Sequence, residues 1–243
     1  LGKGDEIAAF SFNFAGVFSF FFNETATTEI YTHTLPTLFR SAGTLAKDTA
    51  SSEAVMVRSV SYKMADLDGD KTIAYAEVGN KTSETYYETR LGKGDEIAAV
   101  SFNFTASGIL KSKSVFEYGS IATGAVEAGT TTQALEASDT QVGSDWVMVR
   151  STSYKMQDTN ADGTIAYAEA AATASSETYY DVHLGKGDEI AATSFNFTST
   201  GDLKSMSVFE YGTANIGLGE AGSSAASTDS SEAVVVRRLS SKM

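Results

Sequence analysis

Apolar and polar residues alternate through a short segment that the chain repeats. Val100, Phe102 and Phe104 fall on one face and Ser101 and Asn103 on the other, the period-two pattern of a half-buried β-strand. An earlier copy sets Phe10, Phe12 and Phe14 against Ser11 and Asn13, and a later one sets Thr193, Phe195 and Phe197 against Ser194 and Asn196. Each copy follows Leu-Gly-Lys-Gly-Asp-Glu-Ile-Ala-Ala, which opens at Leu1, Leu91 and Leu184. The paired glycines predict a hairpin turn between a strand-like Thr-Tyr-Tyr run and the next strand. A Val-rich segment from Ala54 to Met64, with counterparts starting at Trp146 and Ala233, begins apolar on both faces and ends alternating. That predicts a strand leaving a core.

These segments recur together and in the same order along the chain, and a repeat of this size decides the architecture. Ser-Val-Phe-Glu-Tyr-Gly appears at Ser114 and Ser207, and a Lys-Met pair closes each unit at Met64, Met156 and Met243. The expected fold is all-β: three sandwich-like modules at residues 1–64, 91–156 and 184–243, joined by connectors at 65–90 and 157–183. The first module diverges in the run from Phe18 to Arg40, which holds His33 and Pro36. Terminal repeats often differ because they cap a stack, so this run is the candidate intersubunit contact.

Composition and charge narrow the class. The 243 residues contain no cysteine, so neither disulfides nor thiolate metal sites are available, while 42% hydrophobic content is enough for a sizeable core. A formal charge of −13 argues against a nucleic-acid partner and leaves the carboxylates in need of counter-cations. The most apolar stretch, Ile7 to Phe22, is short for a membrane span, contains Ser11, Asn13 and Ser19, and follows Asp5 and Glu6 without a basic flank. It reads as buried strands or a subunit contact, not as a span or a secretion signal.

The connectors carry the candidate chemistry. Asp66-Leu-Asp68-Gly-Asp70-Lys-Thr72-Ile-Ala-Tyr-Ala-Glu77 recurs as Asp158-Thr-Asn160-Ala-Asp162-Gly-Thr164-Ile-Ala-Tyr-Ala-Glu169. Oxygen-bearing side chains at the first, third and fifth positions, with glutamate at the twelfth, can converge on one hard cation. Both stretches resemble EF-hand calcium loops, the second at every required position including Gly163 at the sixth. The first carries Lys71 there, with Gly69 at the fourth position instead. The resemblance implies Ca2+ held by Asp66, Asp68, Asp70 and Glu77 in one loop and by Asp158, Asn160, Asp162 and Glu169 in the other. Thr72 and Thr164 would add main-chain carbonyls.

Other motifs are weaker. The Gly-Lys-Gly element lacks the spacing of a P-loop and the third glycine of a dinucleotide fingerprint, so it reads as a turn. Two histidines at non-equivalent positions, His33 and His183, and the lack of a Gly-x-Ser-x-Gly elbow give no sign of catalysis, and the chain is not expected to be an enzyme. Asn-x-Ser/Thr acceptors at Asn23, Asn80, Asn103 and Asn196 are open to glycosylation or are plain polar surface residues. Met64 and Met156 are each followed two residues later by a loop aspartate, and the chain stops at the corresponding point after Met243. The pattern is expected to continue in a longer array or in the next copy of a head-to-tail polymer. The functional expectation is a structural subunit of an extracellular, calcium-stiffened filament, appendage or matrix, resembling calcium-stiffened adhesins and surface fibres in architecture. The alternative is an adhesive, carbohydrate-binding array using Phe116, Tyr118, Phe209 and Tyr211, which the alternation also fits as core residues.

Overall fold

The computed structural model describes residues 10–13, 17–20, 48–49, 51–120, 134–212, 222–228 and 234–242. The opening Gly-Lys-Gly of the first module, His33, Pro36 and Asn23 lie outside them. The protein is all-β and antiparallel, and among the described residues no helix is long and apolar enough to cross a membrane. Two compact units form, one from Leu1–Lys113 with Met156–Ala170 and the other from Ser114–Lys155 with Ala171–Met243.

In the first unit the strands β1 (Phe10–Asn13), β2 (Val17–Phe20), β3 (Arg58–Met64), β4 (Val78–Glu88) and β5 (Ile97–Phe104) lie side by side in chain order, followed by the start of β6 (Leu110–Gly119). The alternation read from sequence appears as burial: Val100 and Phe102 are enclosed, and Leu110 and Met156 join them in one cluster. The segment after the first acidic loop, placed by sequence in a connector, is an eleven-residue strand paired on both sides. At its start β4 passes so close to β3 that a Cβ on Gly79 would sit 2.7 Å from the Lys63 carbonyl oxygen.

One row across this sheet breaks the apolar pattern. Val60 on β3 faces Glu84 on β4, and Glu84 faces Phe102 on β5, with all three side chains buried. Glu84 is only 1% exposed. An isolated carboxylate there would be strongly disfavoured, so its oxygens must be paired. Oε1 accepts from Arg58 Nη1 at 2.9 Å and the Tyr86 hydroxyl at 2.8 Å, and Oε2 from Lys81 Nζ at 3.1 Å and the Tyr167 hydroxyl at 2.6 Å. Among the described residues no buried side-chain polar atom lacks a partner.

The second unit contains the rest of β6, then β7 (Leu135–Glu136), β8 (Val147–Met156), β9 (Ala170–Asp181), β10 (Ile190–Phe197), β11 (Leu203–Gly212), β12 (Ser223–Ser224) and β13 (Val234–Lys242). Strands β6, β8, β9, β10 and β11 are neighbours in that order, and β11 also pairs with β12 and β13. Ala134, Val147, Val149, Tyr179 and Val182 form its main core, with Phe195 packed against them. Arg150 reaches Glu117 through two 2.6 Å bonds, the bidentate geometry that suits a guanidinium. The nominally polar face is partly closed as well: Thr178 donates to the buried Ser194 at 3.1 Å, and Ser207 meets Ser240 at 3.0 Å.

The Gly-Lys-Gly element forms the hairpin turns between β4 and β5 and between β9 and β10. Asp95 N donates to the Gly92 carbonyl and Asp188 N to the Gly185 carbonyl, both at 3.2 Å. The following glutamate braces each turn. Glu96 accepts from Gly94 N at 2.8 Å and from Met56 N at 3.0 Å, and Glu189 accepts from Gly187 N and Met148 N, both at 3.1 Å.

Burial pushes the Glu84 carboxyl up, but the Tyr167 hydroxyl, the Lys81 ammonium and the Tyr86 hydroxyl outweigh it and hold the group below the ordinary glutamate value of 4.5. With the folded value depressed, the carboxylate's contribution is complete above the unfolded value and is lost as pH falls through the folded one. Glu84→Ala removes the buried carboxylate that Arg58 and Lys81 pair with and is expected to lower the unfolding free energy by about 3 kcal/mol at neutral pH. Urea unfolding at neutral pH and at acid pH checks this: the difference between wild type and variant should shrink in acid.

Candidate metal centre

Each acidic loop joins two neighbouring strands at their ends, β3 to β4 and β8 to β9. Backbone bonds close both loops at the same two places. Ala65 N donates to the Glu77 carbonyl at 3.2 Å and Gln157 N to the Glu169 carbonyl at 3.0 Å, while Glu77 N and Glu169 N bond the Ala74 and Ala166 carbonyls at 3.0 Å. Inside, the aspartates turn the chain by accepting from amides ahead of them. Asp66 accepts from Gly69 N at 2.6 Å and Lys71 N at 2.9 Å, and Asp158 from Asp162 N at 3.2 Å and Gly163 N at 2.8 Å.

In the first loop Asp66, Asp68 and Asp70 are exposed, and each brings a carboxylate oxygen within 4.8 Å of the others. Three oxygens at that spacing can hold a metal ion, and a hard, oxygen-loving cation matches the donor set. Asp70 Oδ1 accepts the Thr72 hydroxyl and amide at 2.7 Å, and Asp162 Oδ1 accepts the Thr164 hydroxyl at 2.7 Å and amide at 2.8 Å. The hydroxyl bond first and the amide bond second hold both carboxyls below the usual aspartate range.

The twelfth-position glutamates are placed differently. Glu77 Oε1 accepts from Leu67 N at 2.7 Å and Asp68 N at 3.3 Å, and Oε2 from Ala74 N at 2.6 Å. Bonds from the Ala74 and Leu67 amides hold its carboxyl below the ordinary range. Glu169 repeats the arrangement, with Thr159 N and Asn160 N both at 3.3 Å from Oε1 and Ala166 N at 2.6 Å from Oε2. Both glutamates clamp the loop through its amides, and Glu77 is not in the converging carboxylate group. In the second loop Asn160 Oδ1 accepts from Asp162 N at 2.9 Å, and its Nδ2 donates to Asp162 at 3.1 Å. Thr72 and Thr164 enter as donors to the fifth-position aspartates.

The backbone explains how Lys71 stands where a glycine is expected. Both loops place their fourth and sixth residues in the left-handed region: Gly69 at φ 80° and Lys71 at 70° in the first, Ala161 at 60° and Gly163 at 86° in the second. Each loop thus relieves one of two strained positions with glycine and bears the other with a side chain, at a cost on the order of 1 kcal/mol. The two loops share a conformation although their glycines are exchanged.

Their surroundings differ sharply. Ile165 and Tyr167 of the second loop pack on the core of the first unit, where the Tyr167 ring meets Phe102 edge-on at 4.7 Å and Phe104 at 6.5 Å while its hydroxyl reaches Glu84. In the first loop Ile73 is 58% and Tyr75 78% exposed. Sequence reasoning missed the Tyr167 to Glu84 bond. Its trace was the Ile-Ala-Tyr-Ala-Glu string common to both loops and the Glu-Thr-Tyr-Tyr string common to the strands that follow.

The amides of the three described sequon asparagines are engaged: Asn80 Nδ2 donates to the Ala106 carbonyl at 2.7 Å, Asn103 Nδ2 to Ser112 at 3.3 Å and Asn196 Nδ2 to Ser205 at 3.1 Å. No protein-family model, curated protein or solved structure matches the chain.

Releasing the remaining strained residue should tighten each loop. Lys71→Gly is expected to raise apparent stability by about 1 kcal/mol and Gly163→Ala to lower it by about the same amount. Thermal melts of both variants, with and without added calcium, check the two signs together.

Proposed function

We propose that this chain is a structural subunit of an extracellular calcium-stabilised filament, appendage or matrix built from repeated β modules, and that it associates with copies of itself. The observation that carries this reading is the placement of the two acidic loops. They sit at the ends of paired strands, one gathers three carboxylates within 4.8 Å of one another, and the other is anchored by Ile165 and Tyr167 in a sheet core. An ion held in such a loop neutralises charge on a chain of −13 and fixes the crossing between two strands. The expected ligands are Asp66, Asp68 and Asp70, with Glu77 on its rearrangement, and Asp158, Asn160, Asp162 and Glu169, with carbonyls from Thr72 and Thr164.

The extracellular setting in this proposal is supported by the affinity class of such loops. Loops of this type with dissociation constants of about 10⁻⁴–10⁻³ M fill in millimolar calcium outside cells, and a chain without cysteine has no disulfides with which to brace itself there. The sugar-binding alternative loses two of its four aromatics as contacts, since Tyr118 and Tyr211 are buried and the Tyr211 hydroxyl donates to the Ala191 carbonyl at 2.6 Å.

Calcium at about ten times the dissociation constant should stabilise the fold by roughly 1.4 kcal/mol per loop. Melting temperature is therefore expected to fall in chelator and to recover on adding calcium. Glu169→Gln should remove one loop's share. Identical melting curves and identical particle mass with and without chelator would count against the proposal.

A further inference from the structure

The second unit carries the same strand face that Tyr167 covers in the first. Glu177 on β9 faces Phe195 on β10 just as Glu84 on β4 faces Phe102 on β5. The Tyr179 hydroxyl donates to Glu177 at 2.8 Å, as that of Tyr86 donates to Glu84 at 2.8 Å. The Tyr179 and Phe195 rings meet edge-on at 5.9 Å, and those of Tyr86 and Phe102 at 6.3 Å. Leu203 opens β11 where Leu110 opens β6.

The two faces differ in what lies on them. In the first unit Ile165 and Tyr167 pack against the cluster that contains Leu110, which is 7% exposed. In the second unit no acidic loop lies on this face among the described residues, and Leu203 is 48% exposed. Glu177 is only half-buried, and among the described residues no loop hydroxyl supplements the bond from Tyr179. Among the described residues, one copy of this surface thus seats an acidic loop and the other does not, and the seated copy identifies the occupant: an acidic loop ending in Ile-Ala-Tyr-Ala-Glu. The loop Asp66–Glu77 has that ending and presents Ile73 and Tyr75 outward.

We propose that the Glu177, Phe195 and Leu203 face of one copy is the docking site for the Asp66–Glu77 loop of a second copy. The Tyr75 hydroxyl donates to the Glu177 carboxylate, the Tyr75 ring lies edge-on to Phe195, and Ile73 covers Leu203. This deepens the reading of the chain as a self-associating structural subunit, and rests on it, by naming the surfaces that join. The contact is heterologous, loop to face, so each copy offers one of each and growth need not stop at a dimer. Calcium in the loop offsets the repulsion between its carboxylates and Glu177, so docking is stronger with the ion than without it.

The chain has no cysteine, which makes single-cysteine reporters clean. Ile73→Cys protein is mixed with Leu203→Cys protein in calcium under mild oxidation, with Ile109→Cys, at an equally exposed leucine-like position, replacing the first partner as control. The expected result is a disulfide-linked pair formed several-fold faster than the control pair, and slowed several-fold when the loop copy also carries Tyr75→Phe. Cross-linking no faster than control, in proteins that still bind calcium by calorimetry, overturns the docking site and leaves the calcium reading standing. Undiminished cross-linking with no calcium heat supports the site and removes calcium from the account. Binding of a free peptide spanning residues 156–170 to the face, without cross-linking between copies, would assign the face to another loop and overturn the second-copy occupant.

Discussion

Glu84 lies between Val60 and Phe102 in a row of buried side chains, and an ionised carboxylate in that position persists only if every lone pair that water would have served is served by the protein. Four donors do so, two to each oxygen. Three come from the same sheet. The fourth, Tyr167, belongs to the second acidic loop, so the sheet's buried charge is satisfied only when that loop is folded and seated. Replacing a buried ion pair by apolar residues of similar volume is often neutral or stabilising in proteins. What the carboxylate adds is selectivity, since an apolar side chain would accept any apolar cover, while Glu84 requires a hydroxyl at one place.

That requirement joins the chemistry of the acidic loop to the packing of the sheet. The aspartates shape the loop by accepting from backbone amides, the glutamate clamps it from the opposite side, and the tyrosine two residues before the glutamate enters the core. An ion gathered by the aspartates would act on a segment whose far end is held by Phe102 and Glu84. Stiffening of one loop would therefore extend into the neighbouring strands. The first loop has the same shape and the same ending, with its isoleucine and tyrosine turned outward.

Much of the fold was legible in sequence because strand burial follows a period of two: Val100 and Phe102 go inward, and the Gly-Lys-Gly turns join the strands it predicts. The acidic loops were legible as a repeated string, and the first of them brings carboxylate oxygens of Asp66, Asp68 and Asp70 within 4.8 Å of one another. Glu84 was not, since a glutamate in Glu-Thr-Tyr-Tyr reads as a solvent-facing position until its four donors are brought together from Arg58 to Tyr167. Nor was the tolerance of Lys71, because a pattern that demands glycine at the sixth position does not register that Gly69 relieves the fourth. The twelfth-position glutamates, read as cation ligands, also clamp the loop amides, since Leu67 and Ala74 present donors to Glu77 at short range. Identical strings at Tyr75 and Tyr167 ended in opposite environments, a difference that lies in what surrounds each loop and not in the loop.

The second acidic loop and the sheet of the first unit are joined through Tyr167 and Glu84 and are expected to behave as one cooperative element. Hydrogen exchange of the backbone amides, followed during a calcium titration, tests it most directly. Protection is expected to rise together in residues 158–169 and in the β4 and β5 segments around Glu84 and Phe102, and Tyr167→Phe is expected to uncouple the two. Protection confined to the loop, or a sheet response that survives Tyr167→Phe unchanged, would contradict it.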